Sequence, residues 1–312
     1  MGDPQVETIL AQARALPGAN SQSLEPIAGR RAYAEGRAAQ QPPRPDVAES
    51  WEVGIPGPHG SIPVRFIRPV GAPADSTLPI LIYFHGGGWV FGDIETHDIL
   101  CRLLANKSGV CVASVGYRLS PEYKFPIAVD ESYAAIEWVA AQADALRIDR
   151  QKIAVGGDSA GAGLATVAAL VARDRGGPPL RFQMLIYPLV DLRAEFHSRS
   201  DFAAGFLLDS DVLEWLVAQY VRGPADLDDW RTSPLRAPSL RSLPPAFVLT
   251  AELDPLRDEG KAYADALRVA GVEATYHCFE GMVHGFCNMS GVIDEALRAH
   301  DLLALALKTA LE

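Results

Sequence analysis

The 312-residue sequence has no CxxC pair, no HExxH and no run of lysine or arginine. Each absence closes a class of function. The four cysteines (Cys101, Cys111, Cys278, Cys287) offer neither a metal-ligand pattern nor a disulfide framework. They read as buried free thiols, two of them (Cys111 and Cys278) inside apolar strand-like runs, which fits a reducing, cytoplasmic location. Scattered histidines without ligand spacing disfavour metal catalysis, and neither GxGxxG nor GxxxxGK[ST] is there to cradle a nucleotide, so no metal and no cofactor is expected. The longest apolar runs, at 164–172 and 78–84, fall far short of the roughly 20 residues a membrane helix needs. The N-terminus has no basic-then-apolar leader, and Val6 stands where myristoylation needs Ser or Thr, so no membrane partner is expected either. With 39 acidic residues against 28 basic ones, the net charge of −11 makes nucleic acid a poor partner and anionic substrates less expected than neutral ones.

What is present is a core. The chain is 48% hydrophobic and 21% charged, enough apolar surface for one large α/β domain with an appendage. Residues 1–45 look helical and amphipathic and stop at Gln41-Pro-Pro-Arg-Pro45. Strand patterns at 51–55 and 62–68 flank a Pro-Gly-Pro-His-Gly turn and predict a hairpin. Apolar runs then follow at 80–84, 110–115, 153–155, 182–187, 246–250 and 274–279. Their lack of alternation predicts parallel strands covered on both faces. The segments between them carry helical spacing, for example Ile99, Leu103 and Leu104, or Leu164, Val167, Ala168 and Val171, and a closing helix through Ile293, Leu297 and 302–307. The rhythm predicts a doubly wound, mostly parallel sheet of about eight strands flanked by helices. Residues 190–235 break it. That stretch, helical at 212–221, reads as an insertion that joins 1–45 in a helical cap over the sheet's C-terminal edge. The core is then 46–189 and 236–312.

Four loops carry chemistry. Gly157-Asp158-Ser159-Ala160-Gly161 lies between a strand and a helix, where Ser159 can stand on a tight turn with glycines on both sides to admit neighbouring backbone. The helix N-terminus behind it favours an oxyanion. His85-Gly86-Gly87-Gly88-Trp89 follows the strand at 80–84, and its glycines permit several N–H groups to converge on developing negative charge. A serine hydroxyl needs a base and an orienting carboxylate. Asp254 follows the strand at 246–250 and His284 follows the last strand in a glycine-flanked loop, in the order Ser, Asp, His. Asp258 and Glu259 read instead as first-turn acids of the next helix, and Glu252 as a supporting residue without an assigned role. Arg118 and Glu122 read as a structural ion pair or packing contact. Trp89 and Phe206 read equally as pocket wall or core.

Together these motifs, with Asp254-Pro-Leu-Arg-Asp-Glu259, His284-Gly-Phe286 and Tyr117-Arg-Leu-Ser-Pro-Glu122, resemble the hormone-sensitive-lipase-type esterases of the α/β-hydrolase superfamily, in the microbial branch that carries GDSAG. The similarity runs from about Trp51 to the C-terminus. It implies a cofactor-free serine carboxylesterase for short- to medium-chain esters, with Ser159, Asp254 and His284 as triad. It further implies the backbone N–H groups of Gly87, Gly88 and Ala160 as oxyanion hole. Ala162 departs from the family, which often has glycine there, and is expected to alter helix packing only. The resemblance also suggests a homodimer through the last strand, whose 275–279 edge looks apolar. The main rival is a ligand-binding protein on the same scaffold that has lost the histidine; here His284 is present. An amidase and a long-chain lipase share the same triad.

Overall fold

Alternation of side chains at the start of the strand region closes an antiparallel hairpin, β1 (Glu49–Gly57) with β2 (Gly60–Arg68), across Pro58 and His59. Gly60, at φ +114, supplies the left-handed backbone that the turn needs. The computed structural model describes residues 2–15, 25–193 and 195–312. Met1, residues 16–24 and Ala194, the last two within the expected cap segments, lie outside the described residues.

From the hairpin the sheet continues through β3 (Leu78–Phe84), β4 (Cys111–Val115), β5 (Ile148–Asp158), β6 (Phe182–Ile186), β7 (Ala246–Leu253) and β8 (Ala274–Val283). The spatial order is β1-β2-β4-β3-β5-β6-β7-β8, with β3 to β8 mutually parallel and β2 antiparallel to β4. β4 and β6 are buried at every residue, as expected of strands covered on both faces. β8 is different. As the outer strand it alternates, with Thr275 and His277 exposed, Tyr276 and Cys278 half-buried and only Phe279 buried in that stretch. Its edge is therefore not the apolar ribbon expected, and Cys278 is not a buried thiol; the other three cysteines are buried, and all four are unpaired.

The helices number along the chain as α1 (Pro4–Ala15), α2 (Pro26–Gln40), α3 (Ile94–Ser108), α4 (Ile127–Ala141), α5 (Ala143–Leu146), α6 (Ala160–Arg175), α7 (His197–Asp201), α8 (Ser210–Tyr220), α9 (Arg257–Val269) and α10 (Asp294–Leu311). Alternate strand residues divide the core. Ile80, Ile82 and Phe84 face α4, α6 and α9, while Leu81 and Tyr83 face α3 and α10, where Val6, Ile9 and Leu10 of α1 also pack. Among the described residues no helix is long and apolar enough to cross a membrane.

Two helices sit rotated from their expected phase. α3, held at its start by a reciprocal Asp93–Thr96 capping box, buries Leu100, Cys101, Leu104 and Ala105 and leaves Ile99 and Leu103 half-covered. α10 buries Ala296, Ala299, His300, Leu303 and Leu307 and exposes Leu297 and Leu305. Both sequences hold more apolar residues than one stripe needs, so periodicity alone does not single out the inward face.

His300 gives the protein an acid liability. Burial lowers its pKa to about 4, and burial together with His97 lowers that of His85 to about 4. Between pH 6.5 and about 4 the unfolded chain takes up protons that the folded chain refuses. The stability these two histidines contribute is therefore fully present above pH 6.5 and falls toward pH 4, by on the order of 3 kcal/mol each. His300→Gln, whose amide can still donate to the Cys287 carbonyl now 2.7 Å from Nε2, is expected to flatten this slope. Urea midpoints at pH 7 and pH 4.5 would show it; equal slopes in the two proteins would refute the assignment.

Candidate active site

The chain leaves β5 at Asp158 and enters α6 at Ala160, so Ser159 alone makes the turn, at φ +55 and ψ −122. Such a backbone persists only when its surroundings hold it. Ser159 N donates to Ile186 O (2.9 Å), and its carbonyl accepts from Gly163 N and Leu189 N. A Cβ on Gly161 would overlap the carbonyl oxygens of Phe84 and His85, and one on Gly157 would overlap Phe84 O. Both glycines are therefore required by close backbone approach. Ala162 is fully buried in the core, consistent with a packing role.

Asp254, just past β7, is fully buried and fixed by Leu256 N donating to Oδ1 (2.8 Å). His284, just past β8, bridges the two: Nδ1 lies 2.7 Å from Asp254 Oδ2 and Nε2 lies 2.9 Å from Ser159 Oγ. Both ring nitrogens are thus engaged, and the Tyr187 ring packs 4.7 Å from the imidazole. Glu252 has a definite place: its Oε2 accepts from Gly281 N (2.6 Å), tying the end of β7 to the strand that delivers His284.

The loop after β3 runs through three left-handed residues in succession, Gly87 (φ +113), Gly88 (φ +61) and Trp89 (φ +61). Trp89 is held there by stacking flat on Tyr220, 4.0 Å away. It is core, not pocket wall, and Phe206 likewise packs edge-on against Phe202 outside the cavity. The N–H groups of Gly87, Gly88 and Ala160 donate to no protein group among the described residues. Gly87 and Gly88 line a cavity of about 310 Å³ together with Ser159 and His284. Its further walls come from α2, through Tyr33 and Arg37, and from α8, through Val212 and Leu216.

Asp158 organises this loop. Its Oδ1 accepts from Tyr83 OH (2.7 Å) and Gly86 N (2.9 Å); its Oδ2 accepts from Asn288 Nδ2 (3.2 Å) and faces His97 Nε2 (3.3 Å). Burial opposes ionisation, but His97, the Tyr83 hydroxyl and the charge of Arg37 outweigh it and hold the carboxyl well below its usual range. His85 stacks on Tyr117 at 4.3 Å, and Tyr117 OH donates to His85 O (2.7 Å). Tyr83, His97 and Asn288 were not singled out from sequence. They reach Asp158 from three separate elements, and no local spacing announces them.

Other charged residues found partners different from those expected. Arg118 pairs with Glu131, and Glu122 pairs with Arg30 at 2.6 Å, so the two do not pair with each other. Glu259 is more than a helix-dipole residue. Fully buried, it accepts from Val190 N (2.8 Å) and pairs with Arg199 (2.5 Å), clamping both ends of the 190–199 stretch. Burial pushes its carboxyl up to about 7 against the pull of Arg199. Among the described residues no group of three or more His, Cys, Asp or Glu side chains is placed to hold a metal ion.

Comparison with known proteins shows the family and the fold. Residues 81–288 match the family described as the alpha/beta hydrolase fold. The chain is 38% identical to the carboxylic ester hydrolase LipN of Mycobacterium tuberculosis, over 96% of this chain and 83% of that protein. It is 40% identical to an ethyl acetate hydrolase of Pseudomonas putida, over 88% of this chain and 87% of that one. Among solved structures, an alpha/beta hydrolase enzyme from the metagenome of Lake Arreo superimposes with a TM-score of 0.95 at 42% identity, covering 99% of this chain and 98% of the other.

Proposed function

Because the chain belongs to the α/β-hydrolase fold family, among the carboxylic ester hydrolases of the hormone-sensitive-lipase type, we propose that it hydrolyses short- to medium-chain esters through a Ser159 acyl-enzyme. The observation that carries this reading is the continuous hydrogen-bonded line from Ser159 Oγ through His284 to Asp254. His284 takes the Ser159 proton as Oγ attacks the ester carbonyl, and Asp254 fixes the imidazole tautomer and stabilises the imidazolium. The oxyanion is received by the N–H groups of Gly87, Gly88 and Ala160, which among the described residues have no protein acceptor to give up. His284 then protonates the leaving alcohol, and water repeats the sequence on the acyl-enzyme. No step calls for a cofactor or metal.

Residues 1–45 and 190–235 form the cap in this reading, with 46–189 and 236–312 as the catalytic core. Phe91, beside the oxyanion loop, stacks between Tyr33 of α2 and Trp215 of α8, each 5.8 Å away, which supports a cap built from both segments. Leu216 of α8 sits where a Cβ on Gly88 would meet its methyl group at 2.5 Å, so it forms a wall of the cavity beside the oxyanion loop, which we assign to the acyl chain.

A fluorophosphonate probe tests the reading: it should label the folded wild-type chain at Ser159 and leave Ser159→Ala unlabelled. No labelling of the wild type would favour a binding protein on this scaffold. A panel of p-nitrophenyl esters should peak at short to medium chains. Leu216→Ala is expected to raise the octanoate-to-butyrate ratio of kcat/KM by about 3- to 10-fold, the scale of a methylene-sized pocket change.

A further inference from the structure

The catalytic cavity contains one positive charge that the reaction does not use. Arg37 of α2 lines it together with Ser159, His284, Gln40 and Asp158, while Phe91, Leu207, Leu208, Val212, Leu216 and Met289 give it an apolar wall. The other arginines of that helix are neutralised, Arg30 by Glu122 and Arg31 by Glu35. Arg37 is not: among the described residues no carboxylate pairs with it. Its guanidinium lies 5.1 Å from the Tyr33 ring centroid, interacts with the Tyr33 hydroxyl, and gives one weak bond from Nη1 to Gly285 O (3.3 Å). Burial disfavours its charge, but a guanidinium keeps its proton at physiological pH, helped here by the nearby Asp158 carboxylate. The Asp158 carboxylate is already committed to four donors of its own.

A guanidinium presents five donors in a planar fork that matches a carboxylate. Held beside a nucleophile in an apolar cavity with most of those donors unmatched, it is a receptor for an anionic group of a bound molecule. We propose that Arg37 forms a carboxylate subsite, so that the enzyme accepts esters bearing a second, free carboxylate. This rests on Ser159 being the nucleophile. For a half-ester of a dicarboxylic acid, Ser159 Oγ forms the new acyl bond while the ester C–O bond breaks. The alcohol leaves with the proton from His284, and water then releases the dicarboxylate. The overall charge of −11 does not oppose this. Charges beyond about 8 Å are screened at physiological ionic strength, whereas Arg37 lies in the cavity itself.

The carboxylate can sit on the acyl or the alcohol side, and two isosteric pairs separate these. Monoethyl adipate against ethyl hexanoate probes the acyl side; 4-acetoxybutanoate against butyl acetate probes the alcohol side. In at least one pair, wild type should favour the carboxylate ester in kcat/KM. Arg37→Gln should lower that carboxylate-to-neutral ratio by about 10- to 100-fold, the scale of a charge-assisted hydrogen bond, chiefly through KM. Arg37→Lys should recover part of it. A ratio unchanged by Arg37→Gln in both pairs would overturn the subsite and leave Arg37 as a positioning residue for the Gly285 loop. Calorimetric binding of monoethyl adipate and 4-acetoxybutanoate to the Ser159→Ala chain, with and without Arg37→Gln, supplies a readout without turnover. If wild type hydrolyses none of the four esters, the esterase reading fails, and this binding difference alone decides the subsite.

Discussion

Ser159→Ala is expected to lose at least about 10³-fold in kcat toward p-nitrophenyl butyrate while keeping its fold. The loss is that large because the serine, the histidine and the aspartate work as one unit. Without Oγ, the imidazole 2.9 Å away has no proton to accept, and only binding and the oxyanion hole remain. The backbone that makes the elbow should survive, because what holds it is the set of bonds from Ser159 N and O to Ile186, Gly163 and Leu189, none of which involves the side chain. Equal circular dichroism and an unchanged urea midpoint would establish that the fold is kept. Near wild-type turnover in such a protein would remove Ser159 from the mechanism.

That Ser159, Asp254 and His284 were legible in the sequence follows from where they sit. Each occupies a loop directly after an apolar strand, and parallel strands of one sheet bring such loops to one edge. Glycines mark two of the three loops because the backbone there must be left-handed or closely approached. What could not be read depends on contacts between distant segments. Glu259 carries the same first-turn signature as Asp258, yet only Glu259 is buried on Arg199 and on the backbone of Val190, about 60 to 70 residues away. Arg118 and Glu122 are near neighbours in sequence, and their true partners, Glu131 and Arg30, lie on separate helices. The last strand was misread for a related reason. Being outermost is a property of the sheet order, so its alternating exposure follows from topology. Arg37 stands on a helix with two other arginines, and only the structure separates the one without a carboxylate.

The residue beside the nucleophile should matter most to stability. Asp158→Ala is expected to cost about 3–5 kcal/mol, because it strands a tyrosine hydroxyl, a backbone N–H, an imidazole and an amide in a buried site. Asp158→Asn should cost less, about 1–2 kcal/mol. Its oxygen can keep the two donors on Oδ1, Tyr83 and Gly86 N. Its NH2 would face His97 and Asn288, and both can adapt. His97 can place its proton on Nδ1, beside Thr96 Oγ1 and Asp93 O, and Asn288 can turn its unpartnered Oδ1 inward. The two variants also separate stability from catalysis. Asn retains the bond that fixes Gly86 at the root of the oxyanion loop, whereas Ala loses it, so kcat should fall further in Ala than in Asn. Acid unfolding gives a second check. The wild-type carboxyl lies below its usual range when folded, so its contribution is complete above about pH 4 and is lost as the pH falls through the lower folded value. That limb lies below the window assigned to His85 and His300, and it should shrink in both Asp158 variants, leaving the share of other ion-paired carboxylates such as Glu122, while the histidine limb remains. If the limb is undiminished in both variants, the carboxylate is not what holds the loop after β3 to the elbow.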